Sequence, residues 1–167
     1  MKRYCIFTVD TESDNQWDTA SNQSTSNAKC LPLFQEICNK YGFKPVYLID
    51  YSMLKDDYLV DFLQKTKKNE ECEIGLHLHA WDTPPFFGIE KTSTARPLLY
   101  NFSINQMEQK LHAIDRIIKE RFGSDVISHR AGRWAMNSDY ALLLEKYGYR
   151  VDCSVTPGIN WFVANSV

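Results

Sequence analysis

The sequence predicts an α/β fold built from parallel strands, and three observations lead to that prediction. Short apolar runs alternate along the chain with stretches in which apolar residues recur at helical spacing. The links from helix to strand are short, which is typical of parallel strands joined by right-handed crossovers. Three links repeat a basic residue, an aromatic residue and glycine: Lys40-Tyr41-Gly42, Arg121-Phe122-Gly123 and Lys146-Tyr147-Gly148. That pattern suits a helix end, since the cation complements the helix dipole and glycine adopts a positive φ.

The elements follow one another as strands and helices in alternation. The strands are predicted at residues 4–9, 45–49, 72–78, 126–129 and 151–155, where apolar, β-branched and aromatic residues are concentrated. The helices are predicted at residues 31–41, 59–68, 103–122 and 139–147, and the third opens with a capping box of Ser103 and Gln106. The loops are predicted at residues 15–27, 81–99 and 156–167. A closed eight-stranded barrel needs about 200 residues or more. The chain of 167 residues therefore fits a single domain, 1–167, with an incomplete (β/α) barrel or an open sheet.

Composition argues against several classes of function. The formal net charge is −2 and charges of both signs are mixed, so no basic stripe indicates binding to nucleic acid or to an anionic membrane. No apolar run approaches the ~18 residues of a membrane span, and the chain enters its first predicted strand without a signal peptide. The five cysteines contain no CxxC pair, which is typical of reduced thiols. We therefore expect a cytoplasmic protein.

His77 and His79 lie at the end of the third predicted strand and are the first candidates for chemistry. Side chains two residues apart on a strand point to the same face, so the two imidazoles converge where the strand stops. Neutral imidazole is the commonest protein ligand of divalent transition metals. An isolated pair of this kind is about as often two histidines satisfied by hydrogen bonds, and the other strand ends decide between the two interpretations.

Other predicted strands also end in polar residues, at the edge where the reactive groups of parallel α/β folds gather. These residues are Asp10 and Glu12 after the first strand, Arg130 after the fourth, and Asp152 and Ser154 in the fifth. Two imidazoles and one or two carboxylates can hold a divalent ion with open positions for water. A further carboxylate can act as a base, oriented and held ionised by Arg130. The alternative is that these charges only solvate the loop mouths.

Four stretches resemble the motifs of the NodB-homology polysaccharide deacetylases, which form carbohydrate esterase family four. They are TVDTESD at 8–14, EIGLHLHAW at 73–81, HRAGRW at 129–134 and DCSVTPG at 152–158. The stretches fall in the family's order and cover nearly the whole chain, and the subgroup that they resemble is the WbmS-like deacetylases of surface-polysaccharide and O-antigen clusters. The resemblance implies a distorted (β/α) barrel with fewer than eight strands. It also implies a divalent ion, most often zinc, and hydrolysis of an N-acetyl or O-acetyl group on a sugar.

The resemblance assigns roles to residues of this chain. Asp10 matches the general base, and Arg130 matches the arginine that pairs with it. His77 matches the first metal ligand, while Asp152 and Ser154 match the motif that shapes the pocket. The substrate-binding residues that we predict are Trp81, Arg133, Trp134 and Asp152. The expected substrate is an acetylated saccharide or a nucleotide-linked or lipid-linked sugar.

The chain departs from the family pattern at three places. Thr11 stands where the family has a second aspartate, so the carboxylate ligand is expected to be Glu12, with Asp14 as the alternative. Trp81 stands where the family has its second histidine, so His79 is expected to replace it. The family's last motif supplies a histidine as general acid from a later strand, and this sequence contains no such strand. We therefore expect either a chain truncated relative to the family barrel or an acid supplied otherwise, and in both cases weak turnover.

Three other interpretations stay open at this stage. Another metal-dependent amidohydrolase or phosphoesterase would also use two histidines separated by one residue, although such enzymes usually place them on the first strand. A carbohydrate-binding pseudoenzyme would stack Trp81, Trp134 and Trp161 on sugar rings. The third interpretation is a structural domain without a site.

Overall fold

Five parallel strands form one sheet whose spatial order follows the chain. The computed structural model describes residues 4–16, 23–92 and 97–159. The strands are β1 (Thr8–Thr11), β2 (Val46–Ile49), β3 (Glu73–Leu78), β4 (Ser128–Ala131) and β5 (Val151–Asp152), and each is paired with the next. Every pairing is parallel. Because the order never reverses, each crossover turns the same way, which is how a (β/α) barrel is built. The predicted α/β class is confirmed, and β1 and β5 are the two edges of the described sheet.

The described helices are α1 (Leu31–Lys40), α2 (Asp57–Lys68), α3 (Ile89–Thr92), α4 (Ile104–Phe122) and α5 (Ser138–Lys146). The predicted capping box opens α4. Ser103 Oγ accepts from the N–H of Gln106 at 3.3 Å, and Gln106 Oε1 accepts from the N–H of Ser103 at 2.9 Å. α4 ends at Phe122 and is capped by Gly123, whose φ of 94° favours glycine. Within the described residues, no helix combines the length and the apolar character that crossing a bilayer requires.

The two faces of the sheet differ in chemistry because successive side chains of a strand alternate between them. One face packs against the helices in a buried cluster that includes Tyr47, Ile49, Ile74, Leu76 and Leu78 of the strands and Leu63, Leu111, Ile114 and Ile118 of α2 and α4. The other face, which we call the inner face, carries the residues between them: Asp10, Leu48, Gly75, His77 and Arg130. A Cβ on Gly75 would lie 2.5 Å from Leu48 Cδ2, so glycine gives Leu48 its space. The charged residues of the inner face lie towards the carboxyl ends of the strands.

The first predicted strand is wrong in its first half. Residues 4–9 were expected to be buried, but Tyr4 and Ile6 are 84% and 74% exposed and β1 begins at Thr8. Pairing with β2 starts at the register Thr8–Val46, so the apolar residues before Thr8 lie outside the paired sheet. As a consequence, Asp10 lies within β1 and not after it.

Several other boundaries differ from the predictions. β4 and β5 are Ser128–Ala131 and Val151–Asp152, where the sequence predicts 126–129 and 151–155. α2 begins at Asp57 because the Asp56 carboxylate caps its first turn. The predicted loop 81–99 contains the short α3. In the predicted apolar tail, residues from 160 onwards, including Trp161, lie outside the described residues.

Candidate metal centre

Glu12, His77 and His79 bring three metal-binding atoms to one point at the carboxyl-terminal edge of the inner face, which we call the mouth of the sheet. His77 belongs to β3, His79 directly follows its last residue, and Glu12 directly follows β1. His79 Nε2 lies 3.1 Å from Glu12 Oε2, and His77 Nε2 lies 3.6 Å from the same oxygen. One ligand atom from each residue falls within 4.8 Å of the other two. Asn27 Nδ2 donates to the Glu12 carbonyl at 2.8 Å and so fixes the backbone that carries the carboxylate.

The ring of His77 is oriented by backbone. His77 Nδ1 lies 3.0 Å from the carbonyl oxygen of Arg130, the residue opposite it in β4. A carbonyl can only accept, so Nδ1 carries the proton and the lone pair of Nε2 faces Glu12. His77 is buried, with 3% of its surface exposed. Strand pairing alone therefore sets both the position and the tautomer of this ligand.

The ring of His79 is oriented by side chains. Its Nδ1 lies 3.7 Å from Asp82 Oδ2 and 3.9 Å from Asp50 Oδ2. Trp81 stacks on the ring with centroids 4.4 Å apart and planes 15° apart. Trp81 Nε1 in turn donates to Gln16 Oε1 at 3.0 Å. The imidazole is fully buried, with its Nε2 directed at Glu12.

The electrostatics of the cluster favour a cation. Burial raises the pKa of Glu12, but the adjacent imidazoles of His77 and His79 outweigh burial and leave that pKa well below its usual range. Burial lowers the pKa of His79, but the neighbouring carboxylates of Asp82, Glu12 and Asp50 raise it to about 10. A buried imidazole that holds positive charge indicates that the surrounding carboxylates attract a cation. One carboxylate oxygen and two imidazole nitrogens are a donor set that suits zinc and similar divalent ions.

Asp10 and Arg130 form an ion pair across the inner face. Arg130 Nη1 donates to Asp10 Oδ1 at 2.5 Å, Nη2 donates to Thr8 Oγ1 at 2.7 Å, and Nε donates to the Cys153 carbonyl at 3.0 Å. β1 and β4 are separated in the sheet by two strands, so these bonds require a strongly curved sheet. The Asp10 side chain is 31% exposed and accessible from the mouth. Arg130 therefore joins the two parts of the site, since its carbonyl orients His77 and its guanidinium holds Asp10.

Asp14, the alternative carboxylate ligand, is engaged elsewhere. Its Oδ2 accepts from the hydroxyls of Ser24 at 2.7 Å and Ser26 at 2.6 Å, and from the N–H of Asn27 at 3.2 Å. These bonds lower the pKa of Asp14. The carboxylate that lies against the two histidines is that of Glu12.

Asp152 takes part in a network on the helix-facing side of the sheet. Asp152 Oδ1 lies 2.9 Å from His129 Nδ1 and accepts from Ser154 Oγ at 2.7 Å. The Tyr140 hydroxyl lies 3.1 Å from His129 Nε2. His129 precedes Arg130 on β4 and therefore points to the opposite face. The carboxylate of Asp152 is thus turned towards this buried network, and its role in substrate binding stays a prediction.

The three other predicted substrate-binding residues lie near the mouth of the sheet in different settings. Trp81 is 7% exposed and covers His79. Arg133 and Trp134 follow β4 in a tight turn, with φ values of 55° and 53°. Trp134 is 36% exposed, so its ring can contact a ligand in solution. The roles of these residues in substrate binding are predictions.

Sequence reasoning missed Gln16, Asp50 and Asp82, which surround the far side of His79. Asp50 directly follows β2 and is fully buried, so its place at a strand end was a usable signal. Asp82 and Gln16 lie in loops with no periodic pattern. Nothing in their spacing indicates that Gln16 Nε2 donates to both carboxylates, at 2.9 Å each.

Comparisons with known proteins reveal similarity of fold. No protein-family model matches the chain, and no curated protein matches it. One similar solved structure is a protein assigned as a polysaccharide deacetylase from Mycobacterium smegmatis, with a TM-score of 0.62 and 15% identity over 88% of this chain and 49% of that one. Another is the Xyl-CE4 domain of a multidomain xylanase from the hindgut metagenome of Trinervitermes trinervoides, with a TM-score of 0.56 and 15% identity over 87% and 55%.

A third similar structure is a mutant CE4 family pseudoenzyme with restored enzymatic activity, with a TM-score of 0.56 and 13% identity over 75% of this chain and 40% of that one. The chain spans about half the length of these structures. At such low identity the comparisons establish only that this chain shares its fold with these three structures.

Proposed function

We propose that this chain is a metal-dependent hydrolase that removes acetyl groups from acetylated sugars. The observation that supports the proposal most is the double role of Arg130. Its carbonyl lies 3.0 Å from Nδ1 of the candidate metal ligand His77, and its guanidinium donates to the candidate base Asp10 at 2.5 Å. The metal-binding group and the base are therefore held by one residue at the same mouth of the sheet.

Glu12, His77 and His79 would hold the ion, and zinc suits this set of one oxygen and two nitrogen donors. When bound, a divalent ion supplies a Lewis acid that polarises an acetyl carbonyl and lowers the pKa of a water molecule. Three protein ligands leave positions open for water and substrate, which is typical of catalytic sites. The 23% exposure of the Glu12 side chain leaves this centre open to the mouth of the sheet.

Asp10 would act as the general base that takes a proton from the attacking water. Its Oδ1 is fixed by Arg130, so the carboxylate is held at the mouth in one orientation. Positioned proton transfer of this kind contributes roughly 10²–10⁴-fold to rate. The bonds of Arg130 to Thr8 and to the Cys153 carbonyl keep the guanidinium in place from both edges of the sheet.

Protonation of the leaving group is the weak part of the site. The chain has four histidines. Two belong to the candidate metal centre. His112 lies within α4, and His129 is buried on the opposite face between Asp152 and Tyr140. Among the described residues, no histidine therefore stands ready at the inner face as a proton donor, and we expect slow turnover from this chain alone.

The proposed substrate class is that of acetylated sugars, to which Trp134 can offer an aromatic contact. We expect N-acetylated or O-acetylated sugars of a surface polysaccharide, as a nucleotide-linked or lipid-linked unit. The half-exposed ring of Trp134 suits the flat face of a pyranose. All five cysteines are free thiols, the state that a reducing cytoplasm maintains, and we place the reaction there.

A carbohydrate-binding pseudoenzyme is the second candidate. Two observations favour it: the described inner face lacks a histidine acid, and one of the similar structures is described as a CE4 family pseudoenzyme. Such a protein would keep its fold and its metal and would bind acetylated saccharides without releasing acetate.

The test compares the chain with a His77→Ala/His79→Ala double variant. Both are purified without metal, loaded with zinc, cobalt or nickel, and analysed for bound metal by mass spectrometry. We expect about one ion per parent chain and none in the double variant, because it loses two of three ligands. Equal metal content in both would contradict the placement of the site.

Activity is then measured as acetate released from N-acetylglucosamine oligomers and from O-acetylated sugars. Slow, metal-dependent release supports the deacetylase. If the chain binds metal and saccharide but releases no acetate from any substrate, it would be assigned as a pseudoenzyme.

A further inference from the structure

Three buried polar side chains on the far side of His79 take no part in the proposed reaction. Gln16 and Asp50 are 2% and 0% exposed, and the Asp82 side chain is 8% exposed. Asp82 Oδ2 and Asp50 Oδ2 lie 3.7 and 3.9 Å from Nδ1 of the ring, opposite the Nε2 atom that faces Glu12. Polar groups buried in this way need a reason, since their desolvation has a cost.

Asp50 and Asp82 are fixed by their own hydrogen bonds. Asp50 Oδ1 accepts from the N–H of Met53 at 2.7 Å, and Oδ2 accepts from the N–H of Ser13 at 3.2 Å. Asp82 Oδ1 accepts from Thr83 Oγ1 at 3.2 Å. Gln16 Nε2 then donates to Oδ2 of both carboxylates at 2.9 Å each. The pair therefore forms a rigid set of acceptors around one edge of His79.

The loop that carries Asp82 is itself clamped onto α4. Lys110 of α4 is fully buried, and its Nζ donates to the carbonyl of Thr83 at 2.7 Å and to that of Pro85 at 2.9 Å. The same ammonium lies 2.9 Å from Glu90 Oε1. A long helix thus holds Asp82 in place, although Asp82 lies outside any regular element.

The cluster could in principle hold a second cation, because Asp50, His79 and Asp82 also offer ligand atoms within 4.8 Å of one another. The position of Gln16 argues against this. Its amide nitrogen bridges the two carboxylate oxygens at 2.9 Å, so its N–H groups occupy the space that a shared cation would need. An amide nitrogen donates and offers no lone pair to a metal.

We propose that Asp82, assisted by Asp50 and locked by Gln16, is a positioning residue that fixes the tautomer and orientation of His79 for metal binding. At 3.7 and 3.9 Å the two carboxylates act on Nδ1 through their negative charge, which favours a proton on Nδ1 and leaves the lone pair of Nε2 for the metal. Trp81 fixes the plane of the ring by stacking, and its Nε1–H bond to Gln16 links the stack to the same lock. This inference rests on the proposed metal site.

The test measures zinc affinity by competition with a chromophoric chelator. We expect Asp82→Ala to bind zinc about 10–100-fold more weakly, the usual effect of removing such a partner. Asp82→Asn keeps an oxygen acceptor and should lose only about threefold to tenfold. The matched control is Asp125→Ala, which removes an exposed aspartate paired with Lys67 and should leave zinc affinity unchanged.

A spectroscopic readout separates positioning from general destabilisation. In the zinc-loaded protein, the ¹⁵N resonances of His79 should shift in both Asp82 variants. Those of His77 should not, because its Nδ1 faces the backbone carbonyl of Arg130. The Co²⁺ absorption spectrum should change in Asp82→Ala and return towards that of the parent in Asp82→Asn.

The outcomes distinguish the two proposals. A parent chain that binds no metal overturns the proposed function itself. A parent that binds metal, with unchanged affinity and an unchanged His79 spectrum in Asp82→Ala, overturns only the positioning role. Two ions per parent chain, one of them lost in the variant, would make the cluster a second metal site. If Asp82→Ala does not fold, Asp82→Asn carries the test, and unchanged affinity and spectrum there overturn the positioning role.

Discussion

Arg130 and His129 are neighbours on β4, and each pairs with a carboxylate on a different side of the sheet. Arg130 meets Asp10 on the inner face, where the Asp10 side chain is 31% exposed. His129 meets Asp152 on the helix-facing side, where the imidazole is fully buried and also contacts the hydroxyl of Tyr140. The first pair is open to solvent at Asp10, whereas the second is anchored by a buried imidazole.

The difference shows that one short strand supplies both reactive and structural polar groups. Alternation along the strand sends adjacent residues to opposite faces, so closeness in sequence to a motif does not define a role. The pair on the inner face spans from β4 to β1. The network of His129, Asp152 and Tyr140 lies on the helix-facing side, which we call the outer face, and this outer network ties β4 to β5 and α5. Substitutions on the two faces should therefore affect different measurements.

The largest effect is expected from Asp10→Asn on the inner face. The amide cannot take a proton from water, so acetate release by the metal-loaded chain should fall roughly 10²–10⁴-fold. The volume of the side chain is kept and Glu12, His77 and His79 are untouched, so bound zinc should stay at the parent level. Acetate release is followed at saturating zinc, and an unchanged rate would reassign the base.

The second effect is expected from His129→Ala on the outer face. The substitution leaves Asp152 and Tyr140 with unmet hydrogen bonds in a buried space, which should lower the free energy of unfolding by about 3 kcal/mol. The measurement is urea unfolding of the metal-free chain. Zinc affinity at a temperature where the variant is folded serves as the control and should be unchanged. A loss of zinc binding with parent-like stability would instead connect the outer network to the metal centre.

Ser154→Ala is a milder change in the same network. Ser154 Oγ accepts from the N–H of Ala131 at 2.8 Å and donates to Asp152 Oδ1 at 2.7 Å. Losing both bonds should cost about 1–2 kcal/mol of unfolding free energy. If Asp152 and Ser154 shape a substrate pocket, as the resemblance implies, KM will rise as well. Stability that falls while KM stays constant would restrict Asp152 to the network.

The parts of the site that the sequence could predict are those that strand geometry determines. His77 and His79 share a face because they are two residues apart at the end of a strand, and Asp10 and Arg130 face the same mouth because parallel strands end there. The inner and outer sides of β4 also follow from alternation, which places His129 away from Arg130. These inferences need only the period of a strand and the direction of the chain.

The parts that could not be predicted depend on loops and on burial. Gln16, Asp50 and Asp82 meet around His79 from three separate segments, and their spacing carries no periodic signal. The apolar residues before Thr8 have the composition of a strand, but composition does not determine where pairing with β2 begins. The pairing of Asp152 with His129 likewise depends on which face of the sheet the Asp152 side chain points to.

The smallest effect is expected in the pH dependence of the free energy of unfolding, to which His129 on the outer face contributes. Burial lowers the pKa of His129 more than Asp152 raises it, so the folded chain keeps this imidazole neutral. The unfolded chain binds a proton there below about pH 6.5. Because the unfolded state then holds more protons, the free energy of unfolding should decrease as pH falls below about 6.5.

The measurement is urea unfolding of the metal-free chain between pH 5.5 and 7.5, with His129→Gln as the comparison. Glutamine has no proton to gain in this range, so the acid loss of stability should be smaller in the variant by the contribution of His129. The Asp152 carboxylate, whose pKa is lowered despite burial by its bond to His129, stays charged over this range and adds no slope. Parallel pH profiles for parent and variant would mean that His129 binds its proton equally well in the folded and the unfolded chain, which would contradict the prediction. Stability of the parent that instead rises relative to the variant as pH falls would mean that His129 is protonated in the folded chain, and its network would then be an ion pair like the one between Asp10 and Arg130.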